Sequence, residues 1–260
     1  MKSIFLGIDV GSTFCKAAIL DENKKLIGNH ILRSGTSFEK ASEIAVEASL
    51  KMADCTLKDV AYCVSTGYGR ENVKFSKRTV SEISCHSKTA FEKYKKKLTL
   101  IDIGGQDSKV VFIDDMGRRL DFVMNRKCAA GTGSFIEEMS MRLGVHISDM
   151  DKLAREADKL VKLGSFCTVF AGTEILSKIR TGINVNNLAK GIFYAVLKRV
   201  ISMTTIDGMI VLTGGVAAHN PYIAEMMETM TGCRVLQPTY PQLFGAIGAA
   251  LYAKNFKKEQ

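Results

Sequence analysis

Proline and long apolar runs are scarce in this chain of 260 residues. It has 3 prolines, and no proline-rich or glycine/serine-rich stretch marks a linker. The longest apolar segment, residues 244–253, is far shorter than the ~20 residues that a bilayer-spanning helix needs. The first apolar run is interrupted by Asp9, which is typical of a strand and not of a signal peptide. We therefore expect a cytoplasmic protein with no membrane partner.

Several familiar site motifs are missing as well. The 7 cysteines include no Cys-x-x-Cys pair, which argues against a zinc site or a ferredoxin-type cluster built within one chain. Their odd number argues against a disulfide framework. Neither the Gly-x-x-x-x-Gly-Lys-Ser/Thr loop nor the Gly-x-Gly-x-x-Gly turn occurs. These absences exclude P-loop and dinucleotide-binding Rossmann sites.

The composition is that of a globular protein, with 46% hydrophobic and 24% charged residues, and the length allows one large core or two small ones. The formal charge is +9, from 36 basic and 27 acidic residues. Basic residues cluster at 93–97 and 254–258, which is typical of solvated helix ends. We expect no nucleic-acid partner.

Two hairpins with the same pattern organise the chain. An apolar strand, a glycine turn and a second strand occur around Asp9 and again around Asp102. With an offset of 93 residues, four polar or glycine positions agree: Asp9 with Asp102, Gly11 with Gly104, Lys16 with Lys109, and Asp21 with Asp114. Agreement at four such positions indicates an internal duplication.

A third glycine turn follows a buried strand predicted at 209–213 and begins at Gly214. Turn N–H groups and Lys16 can balance phosphate charge, and carboxylates suit a hard cation such as Mg²⁺. Two such hairpins with a late strand–Gly-Gly turn indicate a nucleotide site built from two related halves.

The segment 126–135 combines a cysteine with a helix start. Cys128 lies three residues before Gly131, and an amphipathic helix with apolar residues at Ile136, Met139 and Leu143 follows. A glycine turn that opens a helix is expected to offer free N–H groups to a phosphate. The positive helix end also favours thiolate, the form that ligates metals. The segment by itself equally fits an ordinary helix start beside a buried cysteine. Cys167 also precedes a predicted helix.

Seven motifs carry a family resemblance: IDVGST, STGYGR, EISCH, IDIGGQD, KCAAGTG, CTVFA and LTGGVA, in this order from Ile8 to Ala217. They resemble the activator ATPases of 2-hydroxyacyl-CoA dehydratases and the related ATPase subunits of benzoyl-CoA reductases. These belong to the actin, sugar-kinase and heat-shock-chaperone ATPase superfamily. The resemblance implies an α/β, duplicated actin-like fold with two ribonuclease-H-like halves around a nucleotide cleft. The halves would be 1–98, with the C-terminal helix 244–260 packing back on it, and 99–243.

The resemblance also implies the site residues. The aspartates of the two hairpins, Asp9 and Asp102, would hold Mg²⁺, usually through water, and are catalytic candidates. Gln106 is the third catalytic candidate. ATP or ADP would be bound by Gly11, Ser12, Thr13, Lys16, Gly104, Gly105, Gly131, Thr132, Gly133, Gly214, Gly215, Val216 and Ala217. Cys128 and Cys167 would supply two of four thiolates, so that a homodimer holds one [4Fe–4S] cluster between its subunits.

The implied function is ATP-driven donation of one electron to an iron–sulfur 2-hydroxyacyl-CoA dehydratase, with ferredoxin or flavodoxin as the electron donor. A small-molecule kinase of the same superfamily is the alternative, but it needs a catalytic-base aspartate facing an acceptor pocket. A scaffold or chaperone would need a substrate-binding domain, and the ATPase fold is expected to take up the whole of this sequence.

Some features stay outside this interpretation. Gly172 stands where relatives commonly have an acid. Cys85-His86 is interpreted as a structural pair, and His219 as a surface residue. The remaining cysteines are expected to be small core residues: Cys15, Cys55, Cys63 and Cys233.

Overall fold

The computed structural model describes residues 3–164 and 167–259. The chain forms two compact units. The first comprises Met1–Lys96, Asp115–Arg119 and Leu243–Gln260, and the second comprises Lys97–Asp114 and Leu120–Gln242.

Each unit combines strands and helices. The strands are β1 Ile4–Val10, β2 Phe14–Leu20, β3 Leu26–Arg33, β4 Val60–Thr66, β5 Arg78–Thr79, β6 Leu98–Ile103, β7 Ser108–Ile113, β8 Arg119–Asn125, β9 Ile210–Thr213 and β10 Val235–Leu236. The helices are α1 Phe38–Met52, α2 Glu82–Tyr94, α3 Gly133–Leu143, α4 Met150–Arg155, α5 Thr168–Arg180, α6 Val185–Ile201, α7 Gly215–His219, α8 Tyr222–Thr231 and α9 Phe244–Lys258.

The sheet of the first unit has the order β3-β2-β1-β4-β5. β1 is antiparallel to β2 and parallel to β4, and every residue of β1 is buried because helices cover both faces. Ser37 caps α1 by accepting from the Lys40 N–H. α9 lies very close to β1, since a Cβ at Gly7 would stand 2.0 Å from the Ala246 carbonyl oxygen. Only glycine permits that approach.

The second unit has a sheet of order β10-β9-β6-β7-β8. β6 is antiparallel to β7 and parallel to β9. Helices α3 to α6 and α8 bury their apolar faces in one core that includes Phe135, Met139 and Phe193. The spacing of Ile136, Met139 and Leu143 predicted this face of α3, and all three are buried.

The hairpins repeat in three dimensions. Asp9 pairs with Lys16 across β1 and β2, and Asp102 pairs with Lys109 across β6 and β7. The N–H of Gly11 donates to the carbonyl three residues later at 3.0 Å, and that of Gly104 does the same at 2.9 Å. The 93-residue duplication predicted from the sequence is therefore confirmed.

Predicted helix bounds agree closely with the structure in some places and less closely in others. The apolar spacing predicts a helix over 38–52, which are the bounds of α1, and a helix from about 80 to 96, which is two residues longer at each end than α2. α9 ends at Lys258, two residues before the end of the predicted C-terminal helix 244–260. Among the helices of the described ranges, none combines the length and hydrophobicity that crossing a bilayer requires.

Candidate functional site

Asp9 occupies the end of β1 and is almost fully buried, with 2% of its surface exposed. Lys16, opposite it on β2, places its Nζ 3.0 Å from Asp9 Oδ2. Ser34 donates to the Gly11 carbonyl at 2.6 Å and braces the turn. Residues 9–16, hereafter the first hairpin, therefore combine a buried carboxylate with a lysine and an exposed Ser12.

Glycines enclose the Asp9 carboxylate. A Cβ at Gly67 would stand 2.5 Å from Asp9 Oδ1, and a Cβ at Gly245 would stand 2.6 Å from Oδ2. Gly67 also has φ +88°, a conformation that side chains other than glycine rarely adopt. Asp9 Oδ1 is buried and has no hydrogen-bond partner among residues 3–164 and 167–259. A buried carboxylate oxygen with a vacant lone pair suits a hard cation or the water bound to one.

The second hairpin, residues 102–109, carries more charge in a more buried setting. The Nζ of Lys109 lies 3.3 Å from Asp102 Oδ2 and 2.9 Å from Asp107 Oδ1, and the Lys109 side chain is 1% exposed. Thr213 donates to Asp102 Oδ1 at 2.9 Å. Gln106 stands exposed at the tip. The two hairpins thus have the same backbone hydrogen bond in their turns, but different side chains contact their aspartates.

Both hairpin tips present unused backbone donors. Within the part of the chain that the structure describes, no hydrogen bond involves the N–H groups of Ser12, Thr13, Gly105 and Gln106. Adjacent N–H groups of this kind form an anion-binding concavity. Phosphate oxygens fit these tips.

The third predicted turn leads from β9 into α7. Gly214 has φ +96°, and a Cβ there would stand 2.3 Å from the Ile103 carbonyl oxygen. Val216 and Ala217 are buried, and Gln237 donates to the Ala217 carbonyl at 2.6 Å. Because β9 pairs with β6, Gly214 and Gly215 lie at the same sheet edge as Asp102. His219 is exposed, as expected.

The cysteine loop, residues 126–132, lies between β8 and α3. Its Cys128 is exposed. The buried Asn125 side chain donates to the carbonyls of Cys128 at 3.0 Å and Ala130 at 2.7 Å, which fixes the course of the loop. Gly131 has φ +82° and packs against Arg199. The side chain that holds this loop was not singled out from the sequence.

One premise about this segment was wrong. The N–H groups expected to be free for phosphate are engaged: Thr132 donates to Ala129 at 3.1 Å, and Gly133 donates to Gly104 at 2.9 Å. Ser134 donates to the Gly105 carbonyl through its N–H at 2.8 Å and through its hydroxyl at 2.7 Å. The start of α3 is therefore tied to the second hairpin, and this tie uses donors that an isolated helix would leave unpaired.

Cys167 occupies the N-terminal end of α5 and is exposed. Ala171 donates to its carbonyl at 2.8 Å. α5 packs against α3, whose preceding loop carries Cys128. Both cysteines therefore lie ahead of neighbouring helices in one unit.

Gly172, where the resemblance implies an acid, lies in α5 beside Arg142. A Cβ at Gly172 would lie 3.5 Å from Arg142 Nε, and Arg142 is paired with Glu138 at 2.9 Å. Glu174 accepts from the Gly164 N–H at 2.9 Å. An acid at position 172 could have paired with Arg142. Here Arg142 instead pairs with Glu138 within α3.

Three of the other cysteines are poorly suited to metal binding. Burial raises the pKa of each of three thiols to about 12, those of Cys15, Cys63 and Cys85. Cys55 and Cys233 are half-buried. No three cysteines come together in residues 3–164 and 167–259. Among the described residues, Cys128 and Cys167 are therefore the two exposed thiols.

Thr66 and Thr213 were missed from the sequence. Thr66 lies opposite Asp9 in the β1–β4 register, and Thr213 lies opposite Asp102 in the β6–β9 register. A signal was present, because each threonine ends a strand and is followed by glycine. The two Thr-Gly pairs follow their hairpins at different distances, so the fixed offset of 93 residues did not reveal them.

Comparison with known proteins gives consistent results. Residues 6–253 match the BadF/BadG/BcrA/BcrD ATPase family. The activator of lactoyl-CoA dehydratase from Anaerotignum propionicum is 37% identical over 251 residues, which are 95% of this chain and 96% of that protein.

Two solved structures are similar over almost their whole length. Component A of the (R)-2-hydroxyglutaryl-CoA dehydratase of Acidaminococcus fermentans has a TM-score of 0.94 and 36% identity, covering 98% of this chain and 99% of that one. The activator of the 2-hydroxyisocaproyl-CoA dehydratase from Clostridium difficile, with bound ADPNP, has a TM-score of 0.92 and 34% identity, covering 100% and 96%. These likenesses confirm the predicted actin-like ATPase fold.

Proposed function

Because the chain belongs to the BadF/BadG/BcrA/BcrD ATPase family, we propose that it is an ATPase that activates a 2-hydroxyacyl-CoA dehydratase. It would use ATP to drive the transfer of one electron to the partner enzyme. Relatives at 37% and 36% identity are named activators of such dehydratases. The two compact units would be the two related halves of the ATPase.

The hairpins supply the nucleotide chemistry in this proposal. The free N–H groups at both tips and the Lys16 ammonium would bind phosphate oxygens, and Gly214 to Ala217 would pack against the adenosine. Mg²⁺ would neutralise charge on the phosphates during hydrolysis. The vacant Oδ1 of Asp9 fits the water shell of that ion, while Asp102 lies beside Lys109 and Thr213. Gln106, exposed at its tip, would position the water that attacks the terminal phosphate.

Cys128 and Cys167 would hold the cluster. Two exposed cysteines in one unit provide half of the thiolates that a [4Fe–4S] cluster needs, so two copies would share one cluster across a two-fold axis. When bound, the cluster supplies the one-electron chemistry, and ferredoxin or flavodoxin would reduce it. Asn125 would keep Cys128 in place through the loop carbonyls.

The observation that carries the proposal is the link between the cysteine loop and the second hairpin. Three hydrogen bonds from Gly133 and Ser134 to Gly104 and Gly105 join the start of α3 to a candidate phosphate-binding turn. A change in that turn would therefore reach Cys128 through the four residues between it and Gly133. A nucleotide-driven electron donor needs such a connection, whereas a kinase does not.

The kinase alternative is less well supported. It needs an aspartate free to take a proton from an acceptor hydroxyl. The acids of the second hairpin, Asp102 and Asp107, are both within 3.3 Å of the Lys109 ammonium. The relatives reported above are named as activators and not as kinases.

Anaerobic purification followed by iron, sulfide and sedimentation analysis tests the proposal. We expect four irons per two chains, a brown dimer, and ATP hydrolysis that requires Mg²⁺. Cys128→Ala and Cys167→Ala should lose the iron, whereas the matched variant Cys55→Ala should keep it. A colourless protein after reconstitution with iron and sulfide would reject the electron-donor function. A monomer with a full cluster would reject the shared site.

A further inference from the structure

The duplicated sheets contain the same strand-end pair twice. In the first unit, Asp9 of β1 lies opposite Thr66 of β4 in parallel register. In the second unit, Asp102 of β6 lies opposite Thr213 of β9 in parallel register. All four side chains are buried. The two pairs therefore occupy equivalent places in the fold.

In the second pair the threonine donates a hydrogen bond to the aspartate, and we call this pair closed. In the first pair the corresponding hydrogen bond is not made, and we call this pair open. Thr213 Oγ1 donates to Asp102 Oδ1 at 2.9 Å. In the first unit, Asp9 Oδ1 and Thr66 Oγ1 are buried, yet neither has a hydrogen-bond partner within residues 3–164 and 167–259. A third buried oxygen without a partner, Thr13 Oγ1, belongs to the first hairpin.

Unpaired buried oxygens destabilise a fold, and native proteins keep few of them. Three in one hairpin and its neighbouring strand end indicate that a ligand completes their hydrogen bonding. A carboxylate oxygen requires a donor, and two hydroxyls can either donate or accept. Water molecules bound to a divalent cation donate strongly, and Mg²⁺ usually keeps several of its waters in a protein site.

The neighbouring Cys85 thiol is not the missing hydrogen-bond partner of the Thr66 hydroxyl. Burial raises its pKa to about 12, so it is protonated at neutral pH. The Thr66 hydroxyl opposes that rise in the pKa but does not meet hydrogen-bond geometry with the thiol. A thiol is in any case a weak partner.

We propose that Thr66 is a ligand-binding residue of the first hairpin, where its hydroxyl contacts the water shell of the Mg²⁺ that accompanies the nucleotide. The open Asp9–Thr66 pair receives the hydrated cation. The closed Asp102–Thr213 pair instead has a structural role, because its hydrogen bond is already made. This inference rests on the proposed ATPase function and adds a residue and an asymmetry to it.

Thr66→Val and Thr213→Val form a matched test, because valine keeps the shape of threonine and removes the hydroxyl. Full-length protein is titrated with Mg²⁺ in the presence of ADP, and its melting temperature is measured without ligand. Thr66→Val should require about five- to tenfold more Mg²⁺ for half-maximal ADP binding, the effect of losing one hydrogen bond. Its ligand-free Tm should be unchanged or higher, since it buries no unpaired hydroxyl. Thr213→Val should lower the ligand-free Tm by several degrees.

Thr66→Ser restores the hydroxyl and should return the Mg²⁺ requirement to within about twofold of the original protein. If Thr66→Val lowers the Tm as much as Thr213→Val and leaves the Mg²⁺ requirement unchanged, Thr66 has a structural role and the inference is wrong. If the unaltered protein binds no ADP with Mg²⁺, the proposed ATPase function fails instead. The two failures are therefore distinguishable.

Discussion

Replacing the two equivalent lysines should destabilise the protein to very different extents. Lys109 lies between two carboxylates, and its side chain is 1% exposed. Lys16 contacts Asp9 at 3.0 Å, and its side chain is 15% exposed. Methionine keeps the length of either side chain and removes its charge. We therefore compare Lys109→Met with Lys16→Met in protein free of nucleotide.

The expected magnitudes follow from burial. Removing one partner of a buried ion pair typically costs about 3–5 kcal/mol, because the other charge remains buried without compensation. Lys109→Met should lose that much, with Asp102 keeping its bond from Thr213. A hydrogen bond to a charged group is worth about 1.5–3 kcal/mol, and partial exposure of Lys16 places its loss near the lower value. At about 2–4 °C per kcal/mol, the Tm should fall by about 6–20 °C and 3–6 °C respectively.

Thermal unfolding followed by circular dichroism at neutral pH measures both losses. The double variant Asp102→Asn/Lys109→Met removes the stranded buried charge and should recover most of the stability lost in Lys109→Met. Asp107 is left in place because its side chain is 30% exposed and water can solvate it. Equal, small losses for both lysines would refute the reasoning, as would a double variant no more stable than Lys109→Met.

Two further outcomes are expected. Iodoacetamide at pH 8 should label Cys128 and Cys167 of folded, cluster-free protein within minutes, as read by mass spectrometry, because both are exposed; labelling of the buried thiols first would contradict this. Those thiols should remain protonated and unlabelled until the pH approaches their raised pKa of about 12 or the protein unfolds: Cys15, Cys63 and Cys85. Gly248→Ala should lower the Tm despite the higher helix propensity of alanine, since its Cβ would lie 2.0 Å from the Cys85 carbonyl oxygen. The matched helical variant Gly172→Ala meets only Arg142 at 3.5 Å and should be neutral or stabilising; a Tm loss equal to that of Gly248→Ala would contradict the packing argument.

Features that depend on local pattern were predictable from the sequence. Each hairpin is a strand, a glycine turn and a strand within about fifteen residues, so Asp9 and Asp102 could be aligned by their offset alone. α1 was predicted correctly because its apolar spacing lies in one continuous segment. Such signals need no knowledge of what packs where.

Features that depend on partners distant in the chain were not predictable. Thr213 bonds to Asp102 across 111 residues, and Gly245 lies against Asp9 from the far end of the chain. The glycine turn before α3 was expected to offer free donors, because its sequence cannot reveal that Gly104 supplies an acceptor. Hydrogen-bond partners of a loop are set by tertiary contact, and only a three-dimensional structure shows them.

In the proposed function, the duplication would let the first hairpin bind the cation while the second is connected to the cysteine loop. If both hairpins bind phosphate, the first has the open pair of Asp9 and Thr66, which leaves it free to respond to a hydrated cation. The second has a closed pair at its aspartate. Its Gly104 and Gly105 carbonyls accept hydrogen bonds from the start of α3. A displacement of the second turn must either break those hydrogen bonds or move the helix, and the cysteine loop is continuous with that helix. Energy for such a movement can come only from a difference in nucleotide affinity between the two arrangements. Under this proposal, divergence of two copies of one hairpin would be enough to connect phosphate binding with the position of Cys128.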